Sequence, residues 1–530
     1  MPKKLLLFIF MLVLVVGGAA AQDAPAFTNE DAIARRVEWL RGQVHPLATQ
    51  DMCSGYDDIL PFADIFDGIR LVGLGEATHG TKDFNLLRNR LVDYLVTERG
   101  FRYLIFEAEM GDIIILNRWL TTGEGSLEDA MTYLLGIYWY DDYVALFQWL
   151  REWNVAHPDD QVRLYGNDAQ GWEGVLEALE SDLAGNADAA PVLARIRAAG
   201  EGLNELQGFS FDTNEARLAY YAELDEEEIT ARTDALTTRM REDINALRAY
   251  LPEGEDATTQ FQRLLLRNLE RFANTVDPVF QYYIYTDQMV KLYERLNELS
   301  TFGMRDEREI ALGENAIAIA ELEGDTPGIY WAHNAHVGRG YYLPASIASG
   351  EMIARALGSS YLAVATDFYQ GGFFAGDEAG EDMMSSSREF IVDALPQNSL
   401  SLYLNGTGHA QLWFTLRGRS ADDPDEIWLF DPMRQLQFGG MYSSDPLGQL
   451  IMGNSVLQQN TLRYDAILFV QETRGALTAP QIMRHQMETA LAAQPELAAQ
   501  SGMDVETVLA SFADTLSPYE EVPTCLTADP

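Results

Sequence analysis

Basic residues are scarce in this chain: 37 Lys and Arg stand against 81 Asp and Glu, a formal charge of −44. Such a surface repels nucleic acid and anionic membrane, and it favours neutral or cationic small molecules as partners. Cysteine is reduced to Cys53 and Cys525, which excludes a cysteine-rich scaffold and leaves either one terminus-stapling disulfide or two unpaired thiols. The apolar run from Leu5 to Val16 is too short to span a bilayer comfortably. With Lys3 and Lys4 before it and Ala19, Ala20 and Ala21 after it, the run reads as a signal peptide over residues 1–21. Cleavage is expected near Ala21, with export to the periplasm or beyond. No cysteine follows the cleavage site, so neither a lipid anchor nor membrane association of the mature chain is expected.

Nucleophile motifs are also missing. No Gly-x-Ser-x-Gly elbow occurs and neither cysteine lies near the histidines, so covalent hydrolysis by serine or thiol lacks its usual sign. Gly73-Leu74-Gly75 opens like a dinucleotide loop, but Thr78 stands where the third glycine belongs, and no cofactor is expected. These glycines instead suggest a sharp turn that points Glu76 and His79 into one cleft.

What is present has α/β rhythm. Ile69 to Leu74 is apolar, Thr81 to Arg99 has helical spacing, and Tyr103 to Phe106 is apolar again, a β-α-β unit. Further apolar runs end at Tyr165, Trp331 and Thr366, which predicts a largely parallel sheet flanked by helices. Between 172 and 304 strands vanish into amphipathic patterns such as Glu226 to Tyr250 and Thr258 to Ala273. This is a large helical insertion, a side lobe or lid, separating a first part of the core (22–171) from a second (305–480). In the second part Ser399 to Leu404, Gln411 to Leu416, Glu426 to Phe430 and Tyr464 to Gln471 are expected to complete the sheet. A helical tail, 481–530, follows.

Ligands of parallel α/β sheets bind beyond the carboxyl ends of the strands. There the sequence places Glu76 and His79, Glu107 and Glu109, Asn167 and Asp168, and then His333-Asn334-Ala335-His336. Three of only seven histidines thus gather with four carboxylates. Histidine titrates near neutrality and a carboxylate can orient it, so the set suits general acid/base activation of water. Arg88, on the following helix, either holds a substrate oxygen or pairs with Glu76 or Glu107. Glu76-x-x-His79 with His333-x-x-His336 offers a rival metal site, but neither pair is predicted on a helix that would align both side chains, and no metal is assigned.

Gly75-Glu76-Ala77-Thr78-His79-Gly80, Arg88, Phe106-Glu107 and Trp331 to His336 resemble the erythromycin esterase family. So do Tyr165 to Gln170, Arg308-Glu309 with Asn315, and Arg463 to Ile467, and the resemblance covers roughly Asp64 to Ala479. It implies an α/β fold with a helical side lobe and hydrolysis of a macrolide-type lactone by water, without an obligatory metal. On that resemblance the catalytic set is His79, Glu76, Glu107, His333, His336 and Arg88. His79 is the general base with His333 as alternate, Glu76 and Glu107 orient, and Arg88 and His336 position the lactone and its oxyanion. Asp168, Asn334, Tyr138 and Trp139 are candidate substrate contacts. A metal-dependent hydrolase of an exported glycan or other ester, and a non-catalytic small-molecule (haem-like) binding protein on the same fold, stand as alternatives.

Overall fold

The computed structural model describes residues 30–211, 213–286, 288, 291, 307–343, 346–377, 388–394, 398–442, 455–493, 505–513 and 515–518. The expected signal peptide and Cys525 lie outside the described residues. Cys53 is disulfide-bonded.

Unbroken apolar runs bury a strand on both faces, and the central strands are built that way. The main ones are β1 (Val44–Pro46), β2 (Leu71–Glu76), β3 (Tyr103–Glu109), β4 (Arg163–Asp168), β5 (Gly328–His333), β6 (Tyr361–Asp377), β7 (Gln411–Thr415) and β8 (Ala466–Thr473). They lie in the order β1-β7-β8-β6-β2-β5-β3-β4, and two short strands on the extension of β6 bring the sheet to ten. Every pairing from β8 to β4 is parallel, while β7 and β1 add antiparallel at one edge. β5 enters between β2 and β3, so His333 pairs with Glu76 in register and Trp331 with Phe106.

Alternate side chains of each strand feed two cores. Leu74, Phe106, Trp331 and Val364 pack under α1 (Lys82–Arg99) and α2 (Asp141–Ala156). Tyr330, Ala332 and Ala363 pack under the opposite layer. That layer is made by α3 (Glu173–Asp182), α4 (Ala190–Leu206), α5 (Glu226–Leu247), α6 (Ala257–Thr275) and α7 (Glu307–Leu322), all contributing to one core. Each fully buried Leu, Ile or Phe there contributes about 1.5–3 kcal/mol. The helical region expected as a side lobe or lid covers one face of the sheet, and among the described residues Tyr221, Ile229, Val279 and Tyr283 form a separate outer cluster.

Two segments expected in the sheet are not strands. Leu400–Asn405 is a helix, because Ser399 caps it by accepting the Leu402 N–H and Leu400, Tyr403 and Leu404 are buried on it. Ile427–Phe430 is a single 3-10 turn. The described part of the tail contains the helices Pro480–Ala493 and Val505–Ser511, and no described helix is long and apolar enough to cross a membrane.

Candidate active site

The turn after β2 is held by its neighbours and not by unusual backbone angles. The Ala77 N–H donates to Thr366 Oγ1 at 2.8 Å, and the Gly80 carbonyl accepts the N–H groups of Phe374 and Ala476, each at 2.9 Å. Gly73 and Gly75 do not supply the sharp turn expected of them. They leave room: a Cβ would lie 2.4 Å from the Tyr361 hydroxyl at Gly73 and 2.3 Å from Asn334 Oδ1 at Gly75. At Gly80 a Cβ would meet the Phe374 backbone oxygen at 2.1 Å, where nothing flexible can give way. Gly80→Ala is therefore expected to displace the His79 turn and to cost most of the activity, with crystallography or thermal melting showing that the sheet itself persists. Full activity in this variant would show that the close approach does not matter.

From that turn His79 Nδ1 reaches Glu76 Oε1 at 2.6 Å. A carboxylate only accepts, so Nδ1 carries the proton and Nε2 presents a lone pair. The His79 side chain is 13% exposed. Burial by itself would lower its pKa, but Glu76 and Glu107 outweigh burial and leave it raised above 6.5. Glu76 is buried too; Arg88 and His79 offset that burial and keep its carboxyl below the usual range. Arg88 pairs with Glu76 Oε2, donates to Asn85 Oδ1 at 2.7 Å, and stacks on Trp331 with 3.8 Å between guanidinium carbon and ring centre. Its side chain is 0% exposed. Arg88 is thus sealed behind Glu76 and offers no exposed atom for the direct substrate contact expected of it.

Opposite this chain, Glu107 at the end of β3 accepts the His333 N–H at 2.8 Å and pairs with Arg308 at 2.9 Å and His336 at 3.0 Å. Burial would raise its carboxyl, yet His336 and Arg308 hold it well below the usual range. The His333 ring is saturated by backbone: Nδ1 accepts the Ala335 N–H and Nε2 donates to the Ala77 carbonyl, both at 3.2 Å. Burial and the neighbouring histidines push its pKa down to about 4. His333 is therefore neutral and spent, and the alternate-base role expected for it has no free nitrogen to act through. Its ring lies 5.4 Å from that of His79 and 6.2 Å from that of His336.

The expected substrate contacts have partners inside the protein. Asn334 clamps the Thr366 backbone with both amide atoms, at 2.8 and 3.1 Å. The Tyr138 hydroxyl donates to the Glu107 carbonyl at 2.5 Å, and Trp139 Nε1 donates to the carbonyls of Met131 and Leu134. Asp168 anchors Arg308, which donates to it through Nη2 at 2.7 Å and Nε at 3.0 Å. Arg308 and Glu309, at the start of α7, carry much of this geometry without having been assigned to the site; their place among the motifs that resemble the family was the available signal. Among the described residues, no three His, Cys, Asp or Glu side chains converge as ligands of one metal ion.

A family model described as Erythromycin esterase matches residues 96–473. That span includes Glu107, Asp168, Arg308, Glu309, His333 and His336, while Glu76, His79 and Arg88 precede it. Over 122 residues, 23% of this chain, the sequence is 32% identical to the erythromycin esterase type II of Escherichia coli, and the match covers 29% of that protein's length. A succinoglycan biosynthesis protein of known structure superimposes with a TM-score of 0.64 at 18% identity, over 85% of this chain and 99% of that one. A mutant of the erythromycin esterase EreC, in its open conformation, superimposes with a TM-score of 0.53 at 14% identity, over 79% and 94% of the two chains. These two likenesses establish the shared fold. Because the family model spans well over half of the sequence, the chain belongs to the erythromycin esterase family.

Proposed function

We propose that this protein hydrolyses a carboxylic ester, a macrolide-type lactone in the first instance, with His79 as the base that activates water. The observation that carries the reading is the chain Arg88–Glu76–His79, which fixes one tautomer and leaves Nε2 as the acceptor. Water attacks the ester carbonyl carbon as its proton passes to Nε2, and Glu76 stabilises the imidazolium that forms. When the tetrahedral intermediate collapses, the carbon–oxygen bond breaks and the same proton passes to the leaving alkoxide, giving acid and alcohol. Negative charge on the carbonyl oxygen is met from the Arg308 side, since its side chain is 28% exposed whereas Arg88 is sealed. In this reading residues 1–21 direct export, so the ester is met outside the cytoplasm.

The test is a turnover assay on aryl acetates and macrolide lactones, with and without a strong chelator. Expected are a phenol and acetate from the aryl esters, a ring-opened product heavier by one water from the lactone, and a rate unaffected by chelation. kcat/KM should rise with pH as His79 loses its proton, with a midpoint above the ordinary histidine value of about 6.5, because the carboxylates favour the protonated ring. Glu76→Gln removes the nearest of those charges and should move that midpoint to lower pH. A stable complex without turnover would favour the binding-protein alternative, and loss of rate on chelation with recovery on added zinc would overturn the general-base role.

A further inference from the structure

Each nitrogen of His336 faces a carboxylate. Nε2 lies 3.0 Å from Glu107 Oε1, and Nδ1 contacts Glu309 Oε1. Glu309 is itself fixed, because its second oxygen accepts the N–H of Ser349 at 2.7 Å, at the start of α8 (Ser349–Leu357). Ionised carboxylates have no proton to give, so two such partners require hydrogen on both ring nitrogens, which is the imidazolium form. The ring is buried, and a buried charge persists only where it is paired. Among the described residues, the other ionisable groups facing this corner are Arg308, on the same helix as Glu309, Tyr330 on β5 and His79 on the β2 turn; His333 lies near both histidines and is neutral.

We propose that Glu309 is a positioning residue of the esterase site: together with Glu107 it holds His336 as a fixed cation, which bars that ring from proton transfer and tempers the pull of Glu107 on His79. The three histidines then divide the work. His79 alone has a nitrogen open to water, His333 ties two strand ends by backbone hydrogen bonds, and His336 supplies constant positive charge. The pull on His79 agrees in sign, since Glu107 raises its pKa and His336 lowers it.

This inference rests on the reading of His79 as the base, and its test separates the two. In the unaltered protein, ring nitrogen NMR should show His336 as imidazolium at about pH 8, where an ordinary histidine is neutral. A neutral His336 at that pH overturns the proposal, and this measurement needs neither turnover nor a variant that folds. Glu309→Gln retains an oxygen for the Ser349 N–H but removes the charge. His336 should then give up its proton, and His79, feeling Glu107 without the compensating cation, should hold its own proton to higher pH. Expected is an acidic limb of kcat/KM displaced upward and a several-fold loss of rate at neutral pH, with the alkaline plateau retained. An unshifted limb overturns the proposal. A protein that turns over no ester yet keeps His336 charged would refute the esterase reading alone.

Discussion

His79→Asn is expected to lower kcat by roughly two to four orders of magnitude while the protein folds as before, the range a positioned general base supplies. Asparagine preserves approximate size and can still donate toward Glu76, which accepts at 2.6 Å in the unaltered site. It has no lone pair on nitrogen to take the proton of water, so only the base is deleted. Binding of an uncleaved lactone should be nearly unchanged, measurable as KM or as the dissociation constant of a non-hydrolysable analogue. The residual rate should lose its acidic limb, because no histidine then titrates on the path of the reaction. A variant within a few-fold of the parent rate would place the base elsewhere. Since His333 has both nitrogens bound to backbone and His336 lies between two carboxylates, that outcome would require the turn to rearrange on substrate binding.

Arg88→Met should cost about 3–5 kcal/mol of stability, the penalty for leaving a buried ion-pair partner alone. Methionine fills much of the arginine stem and can still lie against Trp331, which makes lost packing a minor part of the effect. What remains is Glu76, buried, with only His79 to balance it. Glu76→Gln in the same chain removes the stranded charge, so the double variant should be more stable than Arg88→Met alone, and chemical denaturation of the four proteins in the cycle measures the coupling. Arg88→Met should also push the acidic limb of kcat/KM upward, since an uncompensated Glu76 draws the His79 proton more strongly. Equal stability of single and double variants would mean that the stranded carboxylate is not the source of the loss.

Much of the site could be read along the chain because parallel strands buried on both faces announce themselves as apolar runs, and a polar residue directly after such a run stands at the mouth of the sheet. Glu76, Glu107, Asp168 and His333 were found by that signal. Arg88 shows where it fails. Helical spacing places it on α1, yet α1 is buried over most of its circumference, so the pattern does not say whether Arg88 looks into the cleft or against Trp331. Asn334, Tyr138 and Trp139 carry groups that a substrate could use, and in the fold each is turned inward to satisfy backbone that would otherwise be buried unpaired. Arg308 stands 140 residues from Asp168 and 201 from Glu107 in the sequence, and Glu309, which comes shortly before His336, lies beside it at the start of a helix, where an acidic or basic pair has many ordinary explanations.

The sequence by itself determined the fold class, the parallel character of the central strands and the identity of the groups that end them, because burial on two faces demands unbroken apolar runs, which are visible along the chain. It determined the family through motifs that span most of the chain. Tertiary structure alone decided the rest. The insertion of β5 between β2 and β3 brings His333 beside Glu76 and Glu107. The packing of α7 against one face delivers Arg308 and Glu309 to the strand ends. The roles proposed for the three histidines rest on the partner of each ring nitrogen, a matter of ångströms between residues far apart in sequence, and no pattern along the chain encodes such distances.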